Sequence, residues 1–167
     1  KIGILSFSDG RERVHRDLVP EIEKSVDKIV NFLGKQIGFE IVKGTKIVHT
    51  PNLAREEAKN LVAKGINTVV FNVPVFAFPN FAVIAAKICQ IPPLIYSPSN
   101  GKLPGLGGML AAAGSLKQMG MKCEKVWGSL DDVNVQRKFL TFLRAVGATR
   151  RLYGQVYGLI GGRSIGM

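Results

Sequence analysis

The chain has few of the residues from which metal sites and disulfide scaffolds are built. Its 167 residues include 2 Cys, 2 His and 1 Trp, and the two cysteines, Cys89 and Cys123, form no CxxC motif. A disulfide scaffold and a zinc module both need more of these residues at short spacing, so both are excluded. No Ser-His-Asp set with readable spacing is present, and no acid–x–acid or paired-histidine array fit for a catalytic metal is present either. We therefore predict no catalytic residue and no metal ligand in this chain, and we expect both cysteines to be core residues.

Long apolar runs are also absent. A membrane-spanning helix needs about 18 consecutive apolar residues, and the longest apolar stretch, residues 82–95, contains Lys87, Gln90, Pro92 and Pro93. The opening residues 1–5 have the pattern of a strand and are too short for a signal peptide. With 46% hydrophobic and 21% charged residues, the composition is that of a globular domain. We expect a cytoplasmic domain without a membrane partner.

Acidic residues are scarce beyond the first third of the chain. Nine of the 12 acids lie within residues 1–57, and 23 Lys and Arg leave a net charge of +11. Such an excess suggests an anionic partner. However, the basic residues are spread singly, without the interleaved aromatic residues of single-strand binders, which argues against nucleic acid. A solvated basic face, or a complement to an acidic remainder of a larger protein, explains the charge more simply.

Strand and helix patterns alternate along the whole chain. Apolar residues recur at spacings of three and four from Val14 to Ile37, which predicts a long amphipathic helix that ends at Gly38. Thr50 is predicted to cap a helix that ends before Gly65, and Ser129 with Asp132 to form a capping box for a helix over residues 131–146. Further helices are predicted from Pro79 through residues 81–89 and over residues 104–119. Six strands are predicted: residues 1–7, 39–48, 66–73, 93–97, 123–127 and 153–160.

This alternation predicts an α/β fold: a doubly wound, mostly parallel sheet in a three-layer αβα arrangement of the flavodoxin or Rossmann type. The most apolar strands, the first and third, should be central, because strands buried on both faces carry continuous apolar runs. The predicted strand order is therefore 2-1-3-4-5, with the sixth strand extending or leaving the edge beyond the fifth. No repeat or linker divides the chain, so residues 1–167 are predicted to form a single domain.

The loops that follow the strands are the candidate binding region, because open parallel sheets bind ligands beyond the carboxyl ends of their strands. These loops are residues 6–11, 72–79, 97–108 and 161–167. The second contains two Phe and two Pro where turn residues would suffice. The third supplies small polar groups around Asn100, and the fourth combines exposed backbone amides with Arg163 and Ser164, a reasonable site for an anion or a hydroxyl.

Other motifs are better explained by packing. The run Gly105-Leu106-Gly107-Gly108-Met109 resembles a phosphate-binding turn, but it lacks GxGxxG spacing and does not follow the first strand, so close backbone packing is the preferred interpretation. No GxxxxGK[ST] motif occurs. His15 is expected on the surface, and His49 is expected to cap or pack at the end of a strand.

Several segments together resemble the L-fucose isomerase family, which includes D-arabinose isomerases. They are residues 1–4 followed by Asp9-Gly10-Arg11, the loop of residues 72–79, the stretch of residues 104–112, and residues 161–167. The resemblance covers the whole chain but only the first of the family's three domains. The closing residues 163–167 also have the pattern expected at the start of a crossover connection. A domain with a distinctive loop edge and no catalytic set fits the substrate-holding part of a larger enzyme.

The resemblance implies that the parent is a metal-dependent aldose–ketose isomerase. In this family a Mn²⁺ ion, held by two carboxylates and a histidine of the later domains, polarises the sugar while a proton moves between C1 and C2 through an ene-diol. The first domain contributes sugar-recognition residues to the active site of a neighbouring subunit in a homo-oligomer. Carried over, Arg11 would contact sugar hydroxyls, and Phe76 stands where fucose isomerases have a stacking Trp. The alternative is a non-catalytic sugar-binding or regulatory flavodoxin-like module.

Overall fold

A computed structural model describes residues 1–99, 103–158 and 160–162 of the chain. Across these residues, strands and helices alternate from β1 to α5. Their bounds are β1 Ile2–Ser6, α1 Glu12–Gly34, β2 Ile41–Lys43, α2 Pro51–Ala63, β3 Thr68–Asn72, α3 Pro79–Cys89, β4 Pro93–Ser97, α4 Gly105–Gln118, β5 Glu124–Trp127 and α5 Val133–Leu152. No helix in this described part of the chain is both long and apolar enough to cross a bilayer.

The strands form one parallel sheet with the order β2-β1-β3-β4-β5. The predicted order of the first five strands is therefore confirmed. Every residue of β1, β3 and β4 is buried, whereas β2, at one edge, is only partly covered. Continuous apolar runs occupy the centre because both faces of a central strand are removed from water.

Helices cover both faces of the sheet and complete three layers. Phe71 of β3 belongs to the core cluster beneath α2, α3 and α4, while its neighbour Val70 belongs to the cluster beneath α1 and α5. Consecutive side chains of a strand point to opposite faces, so a single apolar strand contributes to both cores. The carboxyl ends of β1, β3 and β4 are thereby fixed next to one another.

Strand β2 is shorter than predicted, because the chain leaves the sheet after Lys43. The carboxylate of Glu57, which is fully buried on α2, accepts hydrogen bonds from the backbone N–H of Thr45 at 2.6 Å and from its hydroxyl at 2.6 Å. These bonds satisfy the buried charge and replace the sheet partners at this point. Before α2, the chain pairs with the segment after β1 at an isolated bridge between Val48 and Phe7.

Helix ends follow the predicted chemistry in one case and differ in two others. Thr50 caps α2 as predicted and accepts from the N–H of Leu53 at 3.2 Å. Helix α5 begins after Asp132, which accepts from the N–H of Asn134 at 2.8 Å, so the predicted capping box at Ser129 was wrong. Helix α1 ends at Gly34, before the predicted stop at Gly38.

The predicted sixth strand over residues 153–160 does not form among the described residues of that stretch, 153–158 and 160. Helix α5 instead continues to Leu152, and Val156, Tyr157 and Ile160 are 94%, 80% and 100% exposed. The β-forming residue types are present, but no neighbouring strand pairs with them. A strand without a partner is not stable in water, so propensity alone does not decide this segment.

Candidate functional site

The loops after β1 and β3 are in direct contact at the carboxyl edge of the sheet. A Cβ atom added to Gly10 would lie 2.6 Å from Cε2 of Phe78 and 3.2 Å from Cζ of Phe81. Only glycine allows this close approach, because a real Cβ would displace an aromatic ring or the turn itself. The Asp9-Gly10-Arg11 turn is therefore packed directly against the aromatic loop.

Asp9 fixes the direction of the Arg11 side chain. Its buried carboxylate accepts from the Arg11 backbone N–H at 2.9 Å, from Nε at 2.9 Å and from Nη2 at 2.8 Å. These hydrogen bonds outweigh burial and hold the pKa of Asp9 below its usual range. The Arg11 side chain is 68% exposed, and Nη1 makes no bond to Asp9. The two N–H groups of Nη1 are not used by Asp9 and suit paired oxygen acceptors.

Three aromatic rings lie next to this turn and contact one another in sequence. Phe76 and Phe78 meet edge to face, with ring centroids 6.2 Å apart and planes at 79°, and Phe78 contacts Phe81 at 5.8 Å. Phe78 is 39% exposed, Phe76 is partly buried and Phe81 is 2% exposed. The predicted residues Arg11 and Phe76 thus lie on loops at the same edge of the sheet, and Phe78 contacts both Phe76 and Gly10 of the Arg11 turn. Sequence reasoning missed Phe78, although the Phe-Ala-Phe run between two prolines was its signal.

The other predicted contacts, Asn100, Arg163 and Ser164, lie outside the described residues. The third and fourth loops therefore remain candidates on sequence grounds alone.

A buried amide supports the site from beneath. Asn72, at the carboxyl end of β3, accepts from the Ser25 hydroxyl of α1 at 2.8 Å and donates to the Ser6 hydroxyl of β1 at 3.1 Å. Asn72 is fully buried, so these bonds compensate the cost of removing its amide from water. They tie α1, β1 and β3 together directly below the two loops. Sequence patterning places Asn72 on a strand but does not reveal its partners.

Two histidines form a stacked pair beside the Arg11 turn. The rings of His15 and His49 are 3.8 Å apart with planes at 14°, and Nε2 of His49 lies 3.6 Å from Glu12. His15 is half-buried rather than on the surface, and its Nδ1 is buried with no hydrogen-bond partner among the described residues. Burial first, and then His49, lowers the pKa of His15 below its ordinary value.

The glycine-rich start of α4 packs closely, as the sequence predicts. A Cβ on Gly105 would lie 2.5 Å from the carbonyl oxygen of Pro74, and one on Gly108 would lie 2.9 Å from that of Val75. Helix α4 therefore presses directly on the backbone of the aromatic loop. Gly107, between them, has nothing within 4 Å of an added Cβ.

A separate groove of about 990 Å³ runs between α1 and the loops after β4 and β5. Lys28, Tyr96 and Asp131 are among its lining residues, and neither Arg11 nor Phe76 lines it. The Arg11 turn therefore lies outside this groove, at an exposed edge of the sheet. No group of three or more His, Cys, Asp or Glu within the described ranges could hold a metal ion.

These features define a class: an α/β domain that presents an oriented guanidinium and an aromatic wall at the carboxyl edge of a parallel sheet. The family model for the first N-terminal domain of L-fucose isomerase matches residues 1–154. The chain belongs to this family, and the resemblance found in its sequence is confirmed. A search of curated proteins found no match.

Proposed function

We infer that this chain is the sugar-recognition domain of a metal-dependent aldose–ketose isomerase of the fucose and arabinose type. The family supports an isomerase parent, and the orientation of Arg11 by Asp9 is the observation that carries the recognition role. Residues 1–167 would act as one domain. Its partners would be the remaining domains of the same cytoplasmic enzyme and a small aldose or ketose.

The proposed role of this domain is to bind and orient the sugar. Arg11 would donate from Nη1 to hydroxyl oxygens, while the partly buried ring of Phe76 would contact C–H groups of the sugar. A guanidinium that is already oriented loses less conformational freedom when the ligand binds. Because the site is an open edge, the remaining wall would come from a neighbouring subunit of a homo-oligomer.

The Mn²⁺ expected in the full enzyme does not fit the residues of this chain that the structure describes. The described residues contain no group of three or more potential ligands, and a catalytic metal needs at least that number. The metal would therefore be held by the later domains, and it would supply polarisation of the sugar's carbonyl and hydroxyl oxygens. The residues of this chain take part only in binding and orientation.

The test is kinetic and uses the full-length enzyme. Arg11→Ala and Phe76→Ala should each lower kcat/KM roughly tenfold or more, because each removes a contact to the sugar. Metal content should not change. Arg13→Ala is the matched control, since Arg13 is likewise exposed near the start of α1. Wild-type kinetics in both variants, or an equal loss in Arg13→Ala, would contradict the recognition role.

A further inference from the structure

Phe78 packs against the Asp9-Gly10-Arg11 turn. The ring edge of Phe78 lies against Gly10, the residue that precedes Arg11, at a distance where no Cβ could fit. The atoms closest to an added Cβ at Gly10 belong to Phe78 and Phe81, and Phe76 is not among them. Phe81 is 2% exposed and lies in the core. Of the two remaining rings, Phe78 therefore borders the guanidinium turn directly.

Phe78 is also the more accessible of these two rings. It is 39% exposed although its ring already packs against Gly10, Phe76 and Phe81. Phe76 meets it edge to face at 79°, so the two rings form a corner, here called the aromatic corner. The Phe78 wall of the aromatic corner adjoins Gly10, the residue before Arg11, and Phe76 forms the other wall.

The Phe78 ring is held in position before any ligand arrives. Its residue precedes α3 in extended conformation, with φ −65° and ψ 126°, and Pro79 occupies the first position of the helix. Proline restricts the residue before it to this extended region. The ring is then confined between Phe76 and Phe81. Little side-chain entropy remains to be lost on binding, which favours a role in recognition.

We propose that Phe78 is a further specificity-determining residue, and that it contacts the C–H face of the sugar beside Arg11 while Phe76 extends the same aromatic corner. This proposal rests on the proposed function and makes it more specific. Together, Phe78 and Arg11 suit an aldose whose hydroxyls project to one side and whose C–H groups project to the other. An aromatic face attracts such C–H groups, and the guanidinium fork takes the hydroxyl oxygens.

The main experiment compares three variants of the full-length enzyme. Phe78→Leu keeps an apolar side chain of similar bulk but removes the ring, so KM should rise roughly tenfold with kcat nearly unchanged. Phe78→Tyr restores the ring and should return KM close to wild type. Phe139→Leu is the packing control: it should lower the urea midpoint without changing KM, because Phe139 is buried on α5 against Phe32 and Tyr96, in the core cluster on the other face of the sheet. A rise in KM for Phe139→Leu equal to that for Phe78→Leu would overturn the proposal.

A second readout separates this proposal from the proposed function. The chain, labelled with ¹³C at its aromatic carbons, is titrated with L-fucose and with D-arabinose, and the Phe78 ring signals should shift more than those of the buried Phe71. If Phe76→Leu raises KM while Phe78→Leu has wild-type KM, the sugar role stands and the Phe78 assignment fails. If the enzyme has no isomerase activity but the Phe78 signals shift, the proposed function fails and the contact stands. Inactivity without any shift overturns both.

Discussion

The glycines of α4 give a quantitative test of how the aromatic loop is held. An alanine at position 108 would place its Cβ 2.9 Å from the carbonyl oxygen of Val75 and 3.1 Å from the backbone nitrogen of Ala77. These two atoms belong to the peptide units on either side of Phe76. Since both are backbone atoms, the strain is relieved only if the loop or the helix moves.

The expected loss of stability follows from two opposing effects. Overpacking of a tight contact costs about 1–3 kcal/mol. Replacing glycine by alanine within a helix stabilises the folded state by about 0.5–1 kcal/mol, because the unfolded chain loses conformational freedom. Gly108→Ala should therefore lower the free energy of unfolding by about 1–2 kcal/mol, which corresponds to a fall in Tm of about 2–8 °C for a domain of this size.

Gly107→Ala is the matched control, because it makes the same change in the same helix with open space around the new Cβ. It should raise the free energy of unfolding by up to about 1 kcal/mol. Urea unfolding of the two variants at constant m-value measures the difference directly. A midpoint for Gly108→Ala equal to or above that for Gly107→Ala would refute the claim that α4 packs on the loop backbone.

Three other predictions use the chain itself. The pKa of His15 is lowered in the folded state from the ordinary histidine value of 6.5. As pH falls below that value, the unfolded chain takes up the proton before the folded chain does. The contribution of neutral His15 to stability is therefore complete above the ordinary pKa and is lost as pH falls below it. His15→Gln should thus flatten the fall in urea midpoint between about pH 7.5 and about pH 5.5, and an unchanged slope would contradict the assignment. The chain alone should show no aldose isomerisation with or without added Mn²⁺, so measurable turnover by the purified chain would place the chemistry in this domain. Nucleic-acid binding should be weak and should collapse as salt rises from about 50 to about 200 mM, whereas tight, sequence-dependent binding at the higher salt would restore the nucleic-acid interpretation.

The fold was predictable because its signals are local and repeat along the chain. Alternating apolar runs predict strands and helices, and the continuous apolar character of β1 and β3 predicts their central place in the sheet. The cap at Thr50 was readable for the same reason, since its partner Leu53 lies three residues away. Predictions failed where a distant partner decided the outcome. Glu57, on α2, binds Thr45 where β2 was predicted to continue, and the described residues of the apolar segment after α5 pair with no strand.

In the candidate site, too, contiguous motifs were predictable from the sequence, whereas contacts between distant residues were not. Sequence by itself determined that the edge loops are distinctive and that Asp9-Gly10-Arg11 belongs to a known family, because a motif is a contiguous pattern. Only the tertiary structure decided that Phe78 lies against Gly10 and that His15 stacks on His49. Each of these pairs joins residues far apart in the chain, and their contact depends on parallel strands that end at the same edge of the sheet. Local sequence patterns therefore determine the strands and helices, and the packing of those elements brings the residues of the site together.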